Sequence, residues 1–181
     1  MFYLLDIEEK VGVEAQKLKK NIQESIEEKL EDLHLKEENG VFLGVVEIKK
    51  IGETGEILPE KPYIYFNVAY TCLFFQPVQN EIVEGYVTEV AEFGPFVRIG
   101  PIDALVHISQ ITKEKLTYNP EQDIITSKDS KIIIKKGDFV IAMVANSSIS
   151  EERIRVNLTM KQEGLGLIKL LKKSKKKEKK K

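Results

Sequence analysis

Two phenylalanines that bracket a Gly-Pro turn are the side chains best suited to chemistry in this 181-residue chain. Phe93 and Phe96 flank Gly94-Pro95, and His107 follows a short way along the sequence. Unpaired bases stack on flat rings, at about 1–3 kcal/mol per base, while cations contact the phosphates. The candidate cations are Arg98, Arg153 and Arg155. Together these residue types predict a surface that binds single-stranded RNA.

The same residues also allow an interpretation without a ligand. In that interpretation Phe93 and Phe96 close a hydrophobic core, and His107 is an ordinary residue at a strand end. The pattern alone favours RNA binding only narrowly over this packing role.

Residue patterns typical of catalysis are missing from the sequence. There is no Asp-rich metal triad, no cluster of His and Cys ligands, no Ser-His pair and no phosphate-cradling glycine loop. His34 is predicted on a helix and His107 on a strand, so they form no evident pair. Acidic pairs such as Glu27-Glu28 and Glu151-Glu152 are typical of solvated surface. We therefore predict a protein without catalytic residues, metal or cofactor.

The charge of the chain is distributed unevenly, although its formal net value is only −1. Residues 1–80 carry 9 Lys/Arg and 15 Asp/Glu, whereas residues 169–181 carry 9 Lys and one Glu. Such a dense block of like charge cannot fold on itself and usually forms a solvated tail. It is either a solubility tail or an arm that binds polyanions, and the predicted RNA-binding region favours the second role.

Cysteine content and hydropathy indicate the compartment. Cys72, the single cysteine, lies in an apolar run and is predicted to be a core residue. No apolar stretch reaches the length of a membrane span, and the first residues do not resemble a signal peptide. We expect a cytoplasmic protein that has no contact with a membrane.

The N-terminal part, residues 1–80, is predicted to be a compact α+β, RNP-like domain with the order strand, helix, strand, strand. The expected strands are Phe2–Leu5, Val41–Ile48 and Tyr63–Phe75. The expected helix runs from about Val13 to Leu33, because apolar residues recur there at spacings of three and four. Its apolar stripe is Leu18, Ile22, Ile26, Leu30 and Leu33.

Residues 81–161 are predicted to form an all-β, five-stranded OB-fold barrel, followed by a short basic helix and a Lys-rich tail at 162–181. The expected strands are Ile82–Val90, Phe96–Ile99, Ala104–His107, Phe139–Val144 and Ile154–Met160, with one long connection between the third and the fourth. Strand alternation decides which side chains face inward. The inward set is Val97, Ile99, Ile154, Val156 and Leu158. The outward set is Phe96, Arg98, Arg153, Arg155 and Asn157, which is aromatic and basic.

Two runs of sequence in the predicted barrel resemble the ribosomal-protein-S-one-type RNA-binding domain. They are Glu84-Gly-Tyr-Val-Thr-Glu-Val-Ala-Glu-Phe-Gly-Pro-Phe-Val-Arg-Ile-Gly100 and Asp103-Ala-Leu-Val-His-Ile-Ser-Gln-Ile111. The resemblance implies that Phe93, Phe96 and His107 face RNA. It also implies a contribution from a basic residue at the start of the last strand, best matched by Arg155.

The whole chain is similar to a narrower family, the larger stalk subunits of archaeal RNA polymerase, called E-prime. The order of domains matches, as does Leu158-Thr-Met-Lys-Gln-Glu-Gly-Leu-Gly166 before an apolar helix. The family usually has a Gly-Asp-Gly turn in its N-terminal tip domain, where this chain has Leu58-Pro-Glu-Lys-Pro62. That departure concerns local contacts of the tip domain with the polymerase core.

The E-prime resemblance implies a noncatalytic role. The tip domain would dock on the polymerase core and on the smaller stalk subunit, with which the chain would form a heterodimer. The barrel would meet the emerging transcript, and the stalk would support DNA opening and recruitment of an initiation factor. Four alternatives remain at this point: an RNA-binding cap subunit of an archaeal exosome, a translation initiation subunit, a ribonuclease with an accessory barrel, and a pure assembly protein.

Overall fold

The computed structural model describes residues 1–18, 21–31, 40–59, 61–128, 131–149 and 154–172. The chain divides into two units, Met1–Gln76 and Pro77–Lys181. Each unit has its own sheet and its own core, and they are described separately.

In its described residues, the N-terminal unit is a four-stranded antiparallel sheet with one α-helix against it. Its elements are β1 (Phe2–Glu14), α1 (Ile22–Glu31), β2 (Val41–Ile51), β3 (Glu56–Ile57) and β4 (Tyr63–Phe75). β4 is central, with β1 on one edge and β2 and β3 on the other. This arrangement is the predicted α+β fold, with β3 as an additional short strand.

The core of this unit lies between the helix and one face of the sheet. Alternate residues of β4 from Phe66 to Phe74 are buried, and Ile26 and Leu30 of α1 pack against them. Cys72 is one of these β4 residues, as expected for a core cysteine. Burial, with a smaller contribution from Glu9, raises the pKa of its thiol to about 11.

The predicted start of the helix was wrong. β1 continues through Glu14, so Val13 is a buried strand residue and not the beginning of α1. The thirteen-residue β1 pairs with β4 along its whole length, and this long-range pairing overrides the local helical periodicity. Ile22 is 38% exposed, unlike the buried Ile26 and Leu30 of the same predicted stripe. Leu33 and His34 lie outside the described residues.

The described part of the C-terminal unit contains nine strands. They are β5 (Ile82–Ala91), β6 (Gly94–Ile99), β7 (Ile102–Val106), β8 (Leu116–Asn119), β9 (Ile124–Ser127), β10 (Ile133–Ile134), β11 (Phe139–Ile149), β12 (Ile154–Thr159) and β13 (Gly166–Leu167). Residues 168–172 follow β13 as a helical segment.

Five of these strands close into the predicted barrel, in the cyclic order β5, β6, β7, β12, β11. The closing contacts are a parallel pairing of β12 with β7 and an antiparallel pairing of β11 with β5. Val97, Ile99, Val156 and Leu158 are buried in the barrel, as alternation predicted. The inward assignment of Ile154 was wrong. This residue is exposed because it begins β12, where it pairs only with Ile149 at the far end of β11.

The connection between β7 and β11 forms a second, three-stranded antiparallel sheet of β8, β9 and β10. The sequence pattern indicates only one long connection here. Strands of two to four residues are too short to show clear alternation, and only tertiary pairing defines them.

The C-terminal segment is attached to the barrel at β11. β13 pairs with Val140 and Ile141, and the Lys169 Nζ lies 2.8 Å from Asp138 Oδ2. Among the described residues, no helix has the length and apolar character needed to cross a membrane.

Candidate nucleic-acid interface

The turn between β5 and β6 is held tightly against the end of β7. The Ile108 N–H donates to the Phe93 carbonyl oxygen at 2.8 Å, which brings the turn beside His107. Gly94 has a φ of +143°, and a Cβ there would lie 2.0 Å from the Val106 carbonyl oxygen. Only glycine fits this approach, which fixes the position of the turn residue Phe93, while Phe96 follows on β6. The prediction of a turn at Gly94-Pro95 was wrong by two residues: the turn consists of Glu92 and Phe93, and Gly94 and Pro95 begin β6 because they pair with Ala91 and Val90 of β5.

The two predicted stacking rings lie together at the surface. The centroids of Phe93 and Phe96 are 5.8 Å apart and their planes are perpendicular, an edge-to-face contact. Phe93 is 49% exposed, so its ring does not close the barrel core. Phe96 is half-buried on the outward face of β6, opposite Leu105 of β7. About half of the Phe93 side chain therefore remains accessible.

His107 is exposed directly after β7 and begins a short 3-10 helix, Ile108–Gln110. Its Nδ1 accepts a hydrogen bond from the Ser109 backbone N–H at 3.2 Å, and the Ser109 Oγ lies 2.8 Å from the same atom. Because Nδ1 accepts, the neutral ring carries its proton on Nε2. His107 thus offers a donor beside the Phe93 turn.

Arg98 also lies on the outward face of β6, but its guanidinium group forms an ion pair. Its Nε and Nη2 donate to Asp103 Oδ1 and Oδ2 at 2.6 and 2.8 Å. The Arg98 hydrogen bonds hold the pKa of the Asp103 carboxyl below its usual range, and those bonds raise the pKa of Arg98. The carboxylate places a negative charge within the predicted RNA face, which the sequence pattern does not reveal.

Of the two arginines predicted at the last strand, the structure describes Arg155. Arg155 is exposed on β12, opposite Ser148 of β11. It is two residues from Asn157, which pairs with Leu105, the neighbour of Phe96. Arg155 therefore shares the outward surface with the aromatic turn. Arg153 lies outside the described residues.

The sequence analysis did not identify two exposed aromatic side chains on the same barrel. Tyr86 of β5 and Phe139 of β11 are cross-strand partners with ring centroids 6.2 Å apart. Each precedes a buried valine, Val87 or Val140, so strand alternation could have identified both as outward residues.

The described residues include no group of three or more His, Cys, Asp or Glu side chains arranged to hold a metal ion. The surface presents aromatic rings, an imidazole and guanidinium groups.

A closed five-stranded barrel of this strand order places the C-terminal unit in the class of OB folds. Residues 76–158 match the family described as S1 RNA binding domain. The chain as a whole belongs to the Rpo7 family of DNA-directed RNA polymerase subunits, as its relatives show.

The DNA-directed RNA polymerase subunit Rpo7 of Sulfolobus acidocaldarius is 42% identical over 130 residues, which are 71% of this chain and 70% of that protein. Its counterpart in Saccharolobus solfataricus is 37% identical and covers 76% of this chain and 77% of that protein. The DNA-directed RNA polymerase II subunit RPB7 of Glycine max is 25% identical over 171 residues, which are 93% of this chain and 97% of that protein.

Proposed function

We propose that this protein is the noncatalytic larger stalk subunit of an archaeal DNA-directed RNA polymerase, and that its barrel binds the emerging single-stranded transcript. Membership of the Rpo7 family supports the role in the polymerase. The observation that supports RNA binding is the cluster of Phe93, Phe96 and His107, which one backbone hydrogen bond holds at the barrel surface.

The alternatives left open by the sequence are not favoured. The relatives match as polymerase subunits, and the Glycine max protein matches over both units, not over the barrel alone. An exosome cap, a translation factor or a ribonuclease would share only the barrel. The protein works in this proposal as a noncatalytic subunit in the cytoplasm, where it supports DNA opening and recruitment of an initiation factor.

Docking on the polymerase is assigned to the N-terminal unit, which has an exposed apolar surface. Leu4 of β1 is 61% exposed and alternates with Tyr3 and Leu5, which pack against the core. Val46 of β2 is 59% exposed and follows the core residue Val45. Large apolar side chains that remain exposed on a sheet are candidates for contacts with another protein. We assign this surface to the heterodimer with the smaller stalk subunit, the pair docking on the polymerase core.

Replacement of the two turn rings tests RNA binding directly. Phe93→Ala combined with Phe96→Ala should weaken binding of a fluorescent single-stranded RNA about tenfold or more, because each stacked base contributes about 1–3 kcal/mol. The measurement is fluorescence anisotropy at fixed salt concentration. Phe2→Ala, which removes an exposed ring from the N-terminal unit, is the matched control.

Both side chains are at the surface, so the double variant should keep its fold, which circular dichroism can check. Equal affinity of the folded double variant and the native protein would refute the stacking role.

A further inference from the structure

The barrel carries a second pair of exposed rings outside the S1-type turn. Tyr86 is 42% exposed and Phe139 is 62% exposed. Their ring planes are tilted by 55°, and they are direct cross-strand partners on β5 and β11. Large rings grouped at a surface usually mark a binding site.

This pair is continuous with the turn of Phe93 and Phe96. Tyr86 faces Arg98 across the β5–β6 ladder, and Arg98 is two residues from Phe96 on the same face of β6. Directly opposed side chains lie about 4.5–5.5 Å apart, and diagonal neighbours about 7–8 Å. The outward surface therefore runs without interruption from Phe96 past Arg98 to Tyr86 and then to Phe139.

The charge around this second pair suits a polyanion. Lys135 and Lys136 are exposed in the turn that leads into Phe139, and Lys169 contacts Asp138 in the same turn. The other end of the β5–β11 ladder differs. There the outward pair is Ile82 and Met143, and the residue before Ile82 is the acidic Glu81. The exposed Glu84 lies between the two pairs, one outward position from each.

We propose that Tyr86 and Phe139 form a second base-stacking site for single-stranded RNA, with Lys135 and Lys136 contacting its phosphates. The proposal rests on the RNA-binding function proposed above and extends the path of the RNA across β6, β5 and β11. It predicts that the second pair contributes only when the RNA is long enough to reach it.

The test replaces both rings with a branched apolar side chain in the full-length protein. Tyr86→Leu with Phe139→Leu retains apolar surface but removes the rings on which bases stack. Affinity should fall about tenfold or more for a single strand of about twelve nucleotides and change little for one of about four, which span the site sizes of OB folds. Anisotropy titrations with both oligonucleotides give the comparison.

A matched control removes apolar surface from the same two strands. Ile82→Ala with Met143→Ala changes a cross-strand pair in the same ladder and should leave affinity for both oligonucleotides unchanged. A second variant, Lys135→Gln with Lys136→Gln, leaves the strands unchanged. It should make the slope of log affinity against log salt concentration shallower by about 1.4, because each phosphate contact contributes about 0.7.

The outcomes separate this inference from the proposed function. Native affinity of the leucine variant for the longer RNA, with weak binding by the Phe93/Phe96 variant, would overturn the second site alone. Native affinity of both variants would overturn the RNA-binding function itself. Loss of the smaller stalk subunit from the leucine variant, without loss of RNA, would assign the rings to a protein contact instead. If the leucine variant does not fold, an unchanged salt slope in the lysine variant overturns the inference.

Discussion

Asp103 reduces the positive charge of the proposed RNA-binding surface. The carboxylate accepts two hydrogen bonds from Arg98 and one from the Thr88 hydroxyl at 3.4 Å. The pair is more than one third exposed on both sides, so its contribution to stability is small. Its larger effect is electrostatic, because it neutralises the guanidinium group that β6 presents on its outward face.

Asp103→Asn should therefore strengthen binding of single-stranded RNA. Loss of the carboxylate removes a charge that repels phosphates and frees Arg98, which should steepen the logarithmic salt slope by about 0.7. The control is Asp6→Asn, which breaks a comparable ion pair with Lys49 in the N-terminal unit. Weaker RNA binding by Asp103→Asn, measured by anisotropy over a salt series, would show that the ion pair itself forms part of the site.

Asp103→Asn should also change how the stability of the protein depends on pH in the acidic range. The pKa of Asp103 is lowered in the folded protein, so the stabilisation from its ionised form is present above its unfolded pKa of about 3.9 and is lost as pH falls through the folded pKa. Asp103→Asn should lack this part of the acid-induced loss of stability, which thermal unfolding over a pH series measures.

The turn between β5 and β6 is the element on which the site depends. The turn can lie close to β7 because Gly94 has no side chain. A Cβ at this position would overlap a carbonyl oxygen at the end of β7. The motif around this turn was visible in the sequence, but the turn itself was predicted two residues too late, at Gly94-Pro95. Its attachment to β7 through Phe93 and Ile108 was not visible there, because that hydrogen bond joins segments that only the closed barrel brings together.

Gly94→Ala should reduce the free energy of unfolding by about 3 kcal/mol, near the upper end for strained backbone positions, because the overlap with Val106 adds to the unfavourable φ. Gly137→Ala is the control. Gly137 has a φ of +84° but nothing within 4 Å of its added Cβ, so only about 1 kcal/mol is expected. Thermal unfolding followed by circular dichroism gives the comparison, and equal losses in the two variants would contradict the close packing of the turn.

At the scale of the whole molecule, the chain joins an acidic α+β unit to a barrel that carries exposed aromatic side chains. The S1 RNA binding domain match covers the barrel and the residues just before it, and the relatives named as polymerase subunits extend over the N-terminal unit. The exposed apolar surface around Leu4 and Val46 gives that unit a physical reason to bind another subunit.

Co-expression with the smaller stalk subunit should yield a stable one-to-one complex on gel filtration. Leu4→Asp with Val46→Asp should dissociate it, because burying two unpaired carboxylates in an apolar interface is strongly unfavourable. Ile57→Asp, a charge at an exposed position on β3, should leave the complex intact. A complex that survives the double substitution would show that the heterodimer uses another surface.

The sequence by itself determined the five barrel strands, the S1-type run that contains Phe93 and Phe96, and the lack of catalytic motifs, because strand alternation and short motifs are local signals. Tertiary structure alone decided three features: the length of β1, the sheet of β8 to β10, and the register that sets which residues face each other on neighbouring barrel strands. That register pairs Arg98 with Asp103 and Tyr86 with Phe139, residues from different strands. The reason is physical, since register between strands distant in sequence is set by closure of the barrel and not by neighbouring residues.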